Sequence, residues 1–92
     1  MKAISKAKQL IDDTRLFVHA RKQAYVFALS DDENTRALLA DLSNFCRAER
    51  STFHKDVRVS AMLEGRREVY LRIMDHLNLS SDELMQKYGG RS

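Results

Sequence analysis

The stretch from Ala3 to Ala28, AISKAKQLIDDTRLFVHARKQAYVFA, decides the fold class. Ile4, Ala7, Ile11, Thr14, Val18, Tyr25 and Ala28 recur at three-and-four spacing, the period of one helix face. Ala3, Leu10, Phe17 and Ala24 widen that stripe on one side. The pattern predicts a single helix over residues 3–28, about 39 Å long at about 1.5 Å per residue. Shorter partner helices cannot cover that length, so its N-terminal half is expected to project or to pack on another subunit. Arg21 interrupts the stripe and marks a candidate break.

Outward from this helix, composition points the same way. The chain has 92 residues, no proline and three glycines, so chain breakers are scarce and an all-α fold is expected. A length of 92 allows one small core and no second one. No apolar run approaches the ~20 residues of a membrane span, and the N-terminus has no apolar signal-peptide core. Cys46 is the single cysteine, which excludes an internal disulfide and fits a reducing compartment.

Two further helix starts are legible. Ser30-Asp31-Asp32-Glu33 predicts a capping box, with Ser30 as cap and Glu33 reaching back, opening a second helix that runs to about Arg47. Residues 49–56 lack a period and read as a connection, with Phe53 expected to tuck into the core. Asp56 is placed to cap a third helix over about residues 57–77, with Val59, Met62, Leu63, Val69, Tyr70, Ile73 and Leu77 inward. Ser80-Ser81-Asp82-Glu83 repeats the capping box before a short helix from Leu84 to Tyr88, which Gly89-Gly90 ends. The expected architecture is therefore a small helical bundle of three main helices plus a short C-terminal helix. By organisation, residues 1–20 form a basic amphipathic arm continuous with the domain, residues 21–88 the compact part and residues 89–92 a frayed tail.

Charge is uneven. The net charge is +3, and the excess sits in the first segment through Lys2, Lys6, Lys8, Arg15, Arg21 and Lys22, against Asp12 and Asp13. Such an arm is a solvated helix face, or it meets phosphates or an acidic protein surface. Arg66 falls in the middle of the third helix's apolar stripe, where a guanidinium needs a partner because an unpaired buried charge costs several kcal/mol. Asp41 and Glu49 are the candidate carboxylates for a register-fixing pair; a contact to a partner protein or a phosphate is the alternative. Gly65 beside it costs about 1 kcal/mol relative to alanine, a cost normally offset by the close approach of another helix.

Catalytic and metal chemistry find no constellation. His19, His54 and His76 lie on different segments without ligand-spaced neighbours, and Cys46 reads as a core residue. No catalytic residue, metal ligand or cofactor is assigned, and a non-enzymatic protein is expected. A DNA-binding reading, with Arg58, Arg66, Arg67 and Arg72 on a recognition helix, is weakened by a connection longer than a helix-turn-helix allows and by Glu64 and Glu68 on the same helix.

Ala24-Tyr25-Val26-Phe27, Ala37-Leu38-Leu39-Ala40-Asp41-Leu42 with Phe45-Cys46, Ser51-Thr52-Phe53 and Glu64-Gly65-Arg66-Arg67-Glu68-Val69 form a combination that resembles a family of small tailed-phage proteins first described from a Bordetella phage. Where that family often has a glycine near the start of the second helix, this chain has Asp32-Glu33-Asn34. The resemblance implies a non-enzymatic virion component of the head or portal (head–tail) region, present in several copies and made in the host bacterial cytoplasm. It carries over no site residues. The first helix is then expected to meet a larger virion protein or copies of itself through Ile4, Leu10, Ile11, Phe17, Val18 and Arg21. Removing residues 1–20 is expected to abolish assembly while the rest still folds. A DNA-binding accessory protein using the basic arm, and an internal head protein ejected with the genome, are the alternatives.

Overall fold

A computed structural model describes residues 2–89, with side chains from Lys6 onward. Among the described residues there are four helices and no strand: α1 Lys2–Ala28, α2 Glu33–Phe45, α3 Val57–Asn78 and α4 Ser81–Tyr88. The expected all-α fold of three main helices and a short fourth is what the chain adopts. The backbone divides into two compact units, residues 2–28 with 76–89 and residues 29–75.

In the first unit α1 is continuous across Arg21, so no break occurs there. Arginine is a good helix former, and the Arg21 guanidinium finds the carbonyl of Gly89 (3.3 Å). α4 opens one turn earlier than its apolar pattern suggested, at Ser81. The expected capping box is present: the Glu83 N–H donates to the Ser80 hydroxyl and the Ser80 N–H to the Glu83 carboxylate, at 3.1 and 3.2 Å. Gly89 ends it with φ 62°, a left-handed conformation that glycine takes without a Cβ clash. Gly90 and the rest of the expected frayed tail lie outside the described residues.

The second unit corrects three expectations. α2 is capped by Asp32, not Ser30: the Asp32 carboxylate accepts from the Thr35 N–H at 2.8 Å, while the Ser30 hydroxyl donates to Asp32 at 3.0 Å. The extended backbone that an N-cap takes falls at Asp32 (φ −131°), two residues past Ser30, whose hydroxyl supports the capping carboxylate instead. α2 stops at Phe45 rather than Arg47, because Arg47 turns left-handed at φ 51°. Its N–H donates to the Asn44 carbonyl and the Ala48 N–H to the Ser43 carbonyl, the paired bonds of a Schellman ending. Third, Phe53 does not reach the core but is 80% exposed. Its neighbour Thr52 is buried instead, donating its hydroxyl to the Glu64 carboxylate. The connection is held locally, by His54 N–H to the Ser60 hydroxyl (2.7 Å) and Asp56 N–H to His54 Nδ1 (3.0 Å). Asp56 caps α3 as expected, accepting from the Arg58 N–H at 2.9 Å.

Candidate interaction surface

In the first unit one face of α1 is spent on α4 and on the last turn of α3. Val18, Leu84 and His76 are fully buried. The His76 ring stacks on Tyr25 (centroids 4.3 Å apart, planes 23° apart) and on Tyr88 (5.7 Å, 24°), so three rings from three helices lie in one column. Lys22 Nζ donates to the His76 carbonyl at 3.0 Å, and His19 Nδ1 lies 3.0 Å from the Ser81 hydroxyl. Lysine and arginine here satisfy carbonyls near the ends of α3 and α4, as cations near a helix C-terminus do.

This arrangement redistributes the residues expected to face a partner. Val18 is not available: it sits under α4, since at about 100° per residue it falls on the same side as Tyr25 and Lys22. Arg21 is half-buried, bonded to Gly89 and placed over the Phe17 ring at 5.6 Å. Leu10, Ile11 and Phe17 are exposed, as an interaction surface requires. The side chain of Ile4 lies outside the described residues. The sequence reading missed the neighbours of Phe17 on that open side: Leu16, Ala20, Phe27 and Ala28 are exposed with it and with Ala24. Their signal was a second apolar stripe beside the first, too close to it to be separated by periodicity alone.

In the second unit the Arg66 pairing differs from expectation. No carboxylate meets it: Asp41 and Glu49 make no ion pair with it among the described residues. The guanidinium instead stands over the Phe45 ring at 4.4 Å, with Nη2 3.7 Å from Met62 Sδ. Arg66 is half-buried, so part of its charge remains solvated and a ring face suffices. Nor is there a close helix contact at Gly65: a Cβ built there meets nothing within 4 Å. Met62 and Val69, one turn before and after Gly65, are exposed, as is Phe45. Gly65 thus lies on an open strip of α3 with apolar side chains at both ends and an arginine–aromatic pair on its flank.

No group of His, Cys, Asp and Glu able to hold a metal ion occurs among the described residues. No described helix is long and apolar enough to cross a membrane. A shallow open depression lined by Arg15, Asp82, Met85 and Gln86 has no nucleophile paired with a base.

Against known protein families, residues 24–87 match the model described as Bbp19-like phage protein. The chain belongs to that family. The match runs from the last turns of α1 through nearly all of α4 and leaves the basic first 23 residues outside. Compared with the curated proteins and with the solved structures, the chain finds no match.

Proposed function

We propose that this Bbp19-like phage protein is a non-enzymatic component of the virion, made in the host bacterial cytoplasm and placed in the head or the portal (head–tail) region, where it acts through helix-mediated protein contacts. Family membership supports the phage setting. The observation that carries the contact role is the open strip of α3. Gly65 costs helix stability while a Cβ there would meet nothing within 4 Å among the described residues, and Met62, Val69 and Phe45 leave apolar surface in water. An approaching helix of a larger virion protein would use that space: the missing side chain admits its backbone, and the Arg66–Phe45 pair gives it an edge with both a charge and a ring.

Mass spectrometry of purified particles of the parent phage, before and after they are emptied of DNA, tests this. Retention in emptied shells is the expected result. Loss with the DNA would favour a protein ejected with the genome. Absence from both samples would overturn the virion reading and put DNA binding first, with Lys6, Lys8 and Arg15, all exposed, as phosphate contacts. Steep loss of DNA affinity between low and moderate salt would then be the check.

Truncation has to be designed differently from what the arm suggested. Residues 14–20 carry Val18 and His19, both engaged with the α4 end, so removing 1–20 cuts into a packed unit. Removing residues 1–9 spares those contacts and isolates the arm.

A further inference from the structure

We infer that α1 pairs with α1 of a second copy of this chain, antiparallel, across the open face formed by Leu16, Phe17, Ala20, Ala24, Phe27 and Ala28. The inference stands apart from the particle reading, because a dimer of the purified chain is read in solution whatever the chain does in the phage.

Three observations carry it. The first is the absence of charge. At about 100° per residue these six side chains cover roughly a third of the helix circumference, and none is polar. Of the cations in the same segment, Lys22 lies on the other side and bonds the His76 carbonyl, while Arg21 sits at the edge of the face, bonded to the Gly89 carbonyl and over the Phe17 ring at 5.6 Å. Contacts within the unit thus leave the face apolar.

The second is self-complementarity. The order Phe17, Ala20, Ala24, Phe27 reads the same in both directions about position 22. A two-fold axis through that point sets Phe17 of one copy against Phe27 of the other and Ala20 against Ala24. A two-fold interface requires such a match of a surface with itself. Alanines at the crossing let the helix axes approach to about 8 Å, and the phenylalanines close both ends. Register is limited by Asp13, on the same side one turn earlier. Sliding the pair by a heptad would bury that carboxylate against Ala24, whereas the register centred on position 22 carries it past the partner's helix.

The third is area. Leu16, Phe17 and Phe27 are 68, 55 and 79% exposed. With the alanines they offer about 500 Å² of apolar surface per copy, so pairing removes about 1,000 Å² from water, the low end of specific interfaces. An interface of that size corresponds to a weak, concentration-dependent dimer.

The test is sedimentation equilibrium on the full chain from about 1 to 200 µM, with Ala24→Glu as the breaking variant. Position 24 is exposed and glutamate is a good helix former, so the variant should keep its helical circular dichroism while the dimer weakens about 100-fold or more. In a Cys46→Ala background, chains carrying Ala20→Cys mixed with chains carrying Ala24→Cys should cross-link to each other in preference to themselves. A monomer throughout that range would overturn the proposal and leave the face to another protein. A dimer that Ala24→Glu leaves intact, or cross-linking that prefers 20 to 20, would overturn it equally. If Ala24→Glu loses helix, the cross-linking pattern alone decides.

Discussion

In residues 2–28 and 76–89 the contacts that hold the helices join positions far apart in the chain. Lys22 reaches His76, Arg21 reaches Gly89, His19 meets Ser81, and the Tyr25–His76–Tyr88 column spans three helices. In residues 29–75 the hydrogen bonds run mostly within six positions: Asp32 to Thr35, His54 to Ser60, Arg50 to Asn44. Thr52 to Glu64, twelve positions apart, is the longer tie there, beside the Arg66–Phe45 pair. The first unit is thus specified by tertiary packing. The second is built from caps and turns that form locally, around Cys46, Leu63 and Thr52 as its buried side chains. Locally stitched segments open at lower cost than packed ones.

The strongest break in this contrast is Leu84→Ala. Leu84 is fully buried, and truncating such a leucine costs about 2–5 kcal/mol, a large share of the stability of a domain this size. Urea denaturation followed by circular dichroism should show that loss. Phe53→Ala, which removes a larger side chain from an exposed site in the second unit, should stay within about 0.5 kcal/mol of the parent. Similar losses for the two would mean that the second unit is as tightly packed as the first.

Next comes a pair of gains confined to the second unit. Gly65→Ala adds a Cβ that meets nothing within 4 Å, so it should raise stability by about 1 kcal/mol. Arg47→Gly relieves a non-glycine left-handed residue and should gain about 0.5–1 kcal/mol. Urea midpoints of the two single variants check these gains. Arg66→Met is the smaller loss, about 0.5–1 kcal/mol for a half-exposed cation over a ring. A loss of several kcal/mol would mean a buried ion pair after all.

The same contrast explains what was legible beforehand. Helix periods, the Ser80–Glu83 box and the Asp56 cap are short-range rules that the chain follows, whereas the Ser30–Glu33 box gave way to an Asp32 cap and α2 ended at Phe45, before Arg47. Val18 was misassigned because α1 carries two adjoining apolar stripes, and only α4 decides which one is covered. Arg66 was given a carboxylate because sequence shows that a buried guanidinium needs a partner but not that Phe45 would supply a ring instead. Phe53 and Thr52 exchanged roles because an irregular connection has no period from which to read its inward side.

The smallest expected effect concerns the Asp32 cap, and it separates local from tertiary stabilisation most directly. The Thr35 N–H, then the Ser30 hydroxyl, hold the Asp32 carboxyl below the ordinary carboxylate range in the folded chain. A folded pKa depressed in this way contributes stability that is fully present above the unfolded value. It is lost as pH falls through the folded one. The cap should therefore weaken only in acid, below about pH 4. Asp32→Asn keeps an oxygen for the Thr35 N–H but removes the charge, so it should be slightly less stable than the parent at neutral pH and converge with it in acid. Thermal melts of both proteins between pH 7 and pH 2 give the difference free of the other carboxylates, which titrate alike in each. A difference that persists unchanged into acid would show that the charge contributes nothing and that the cap acts through its oxygen alone.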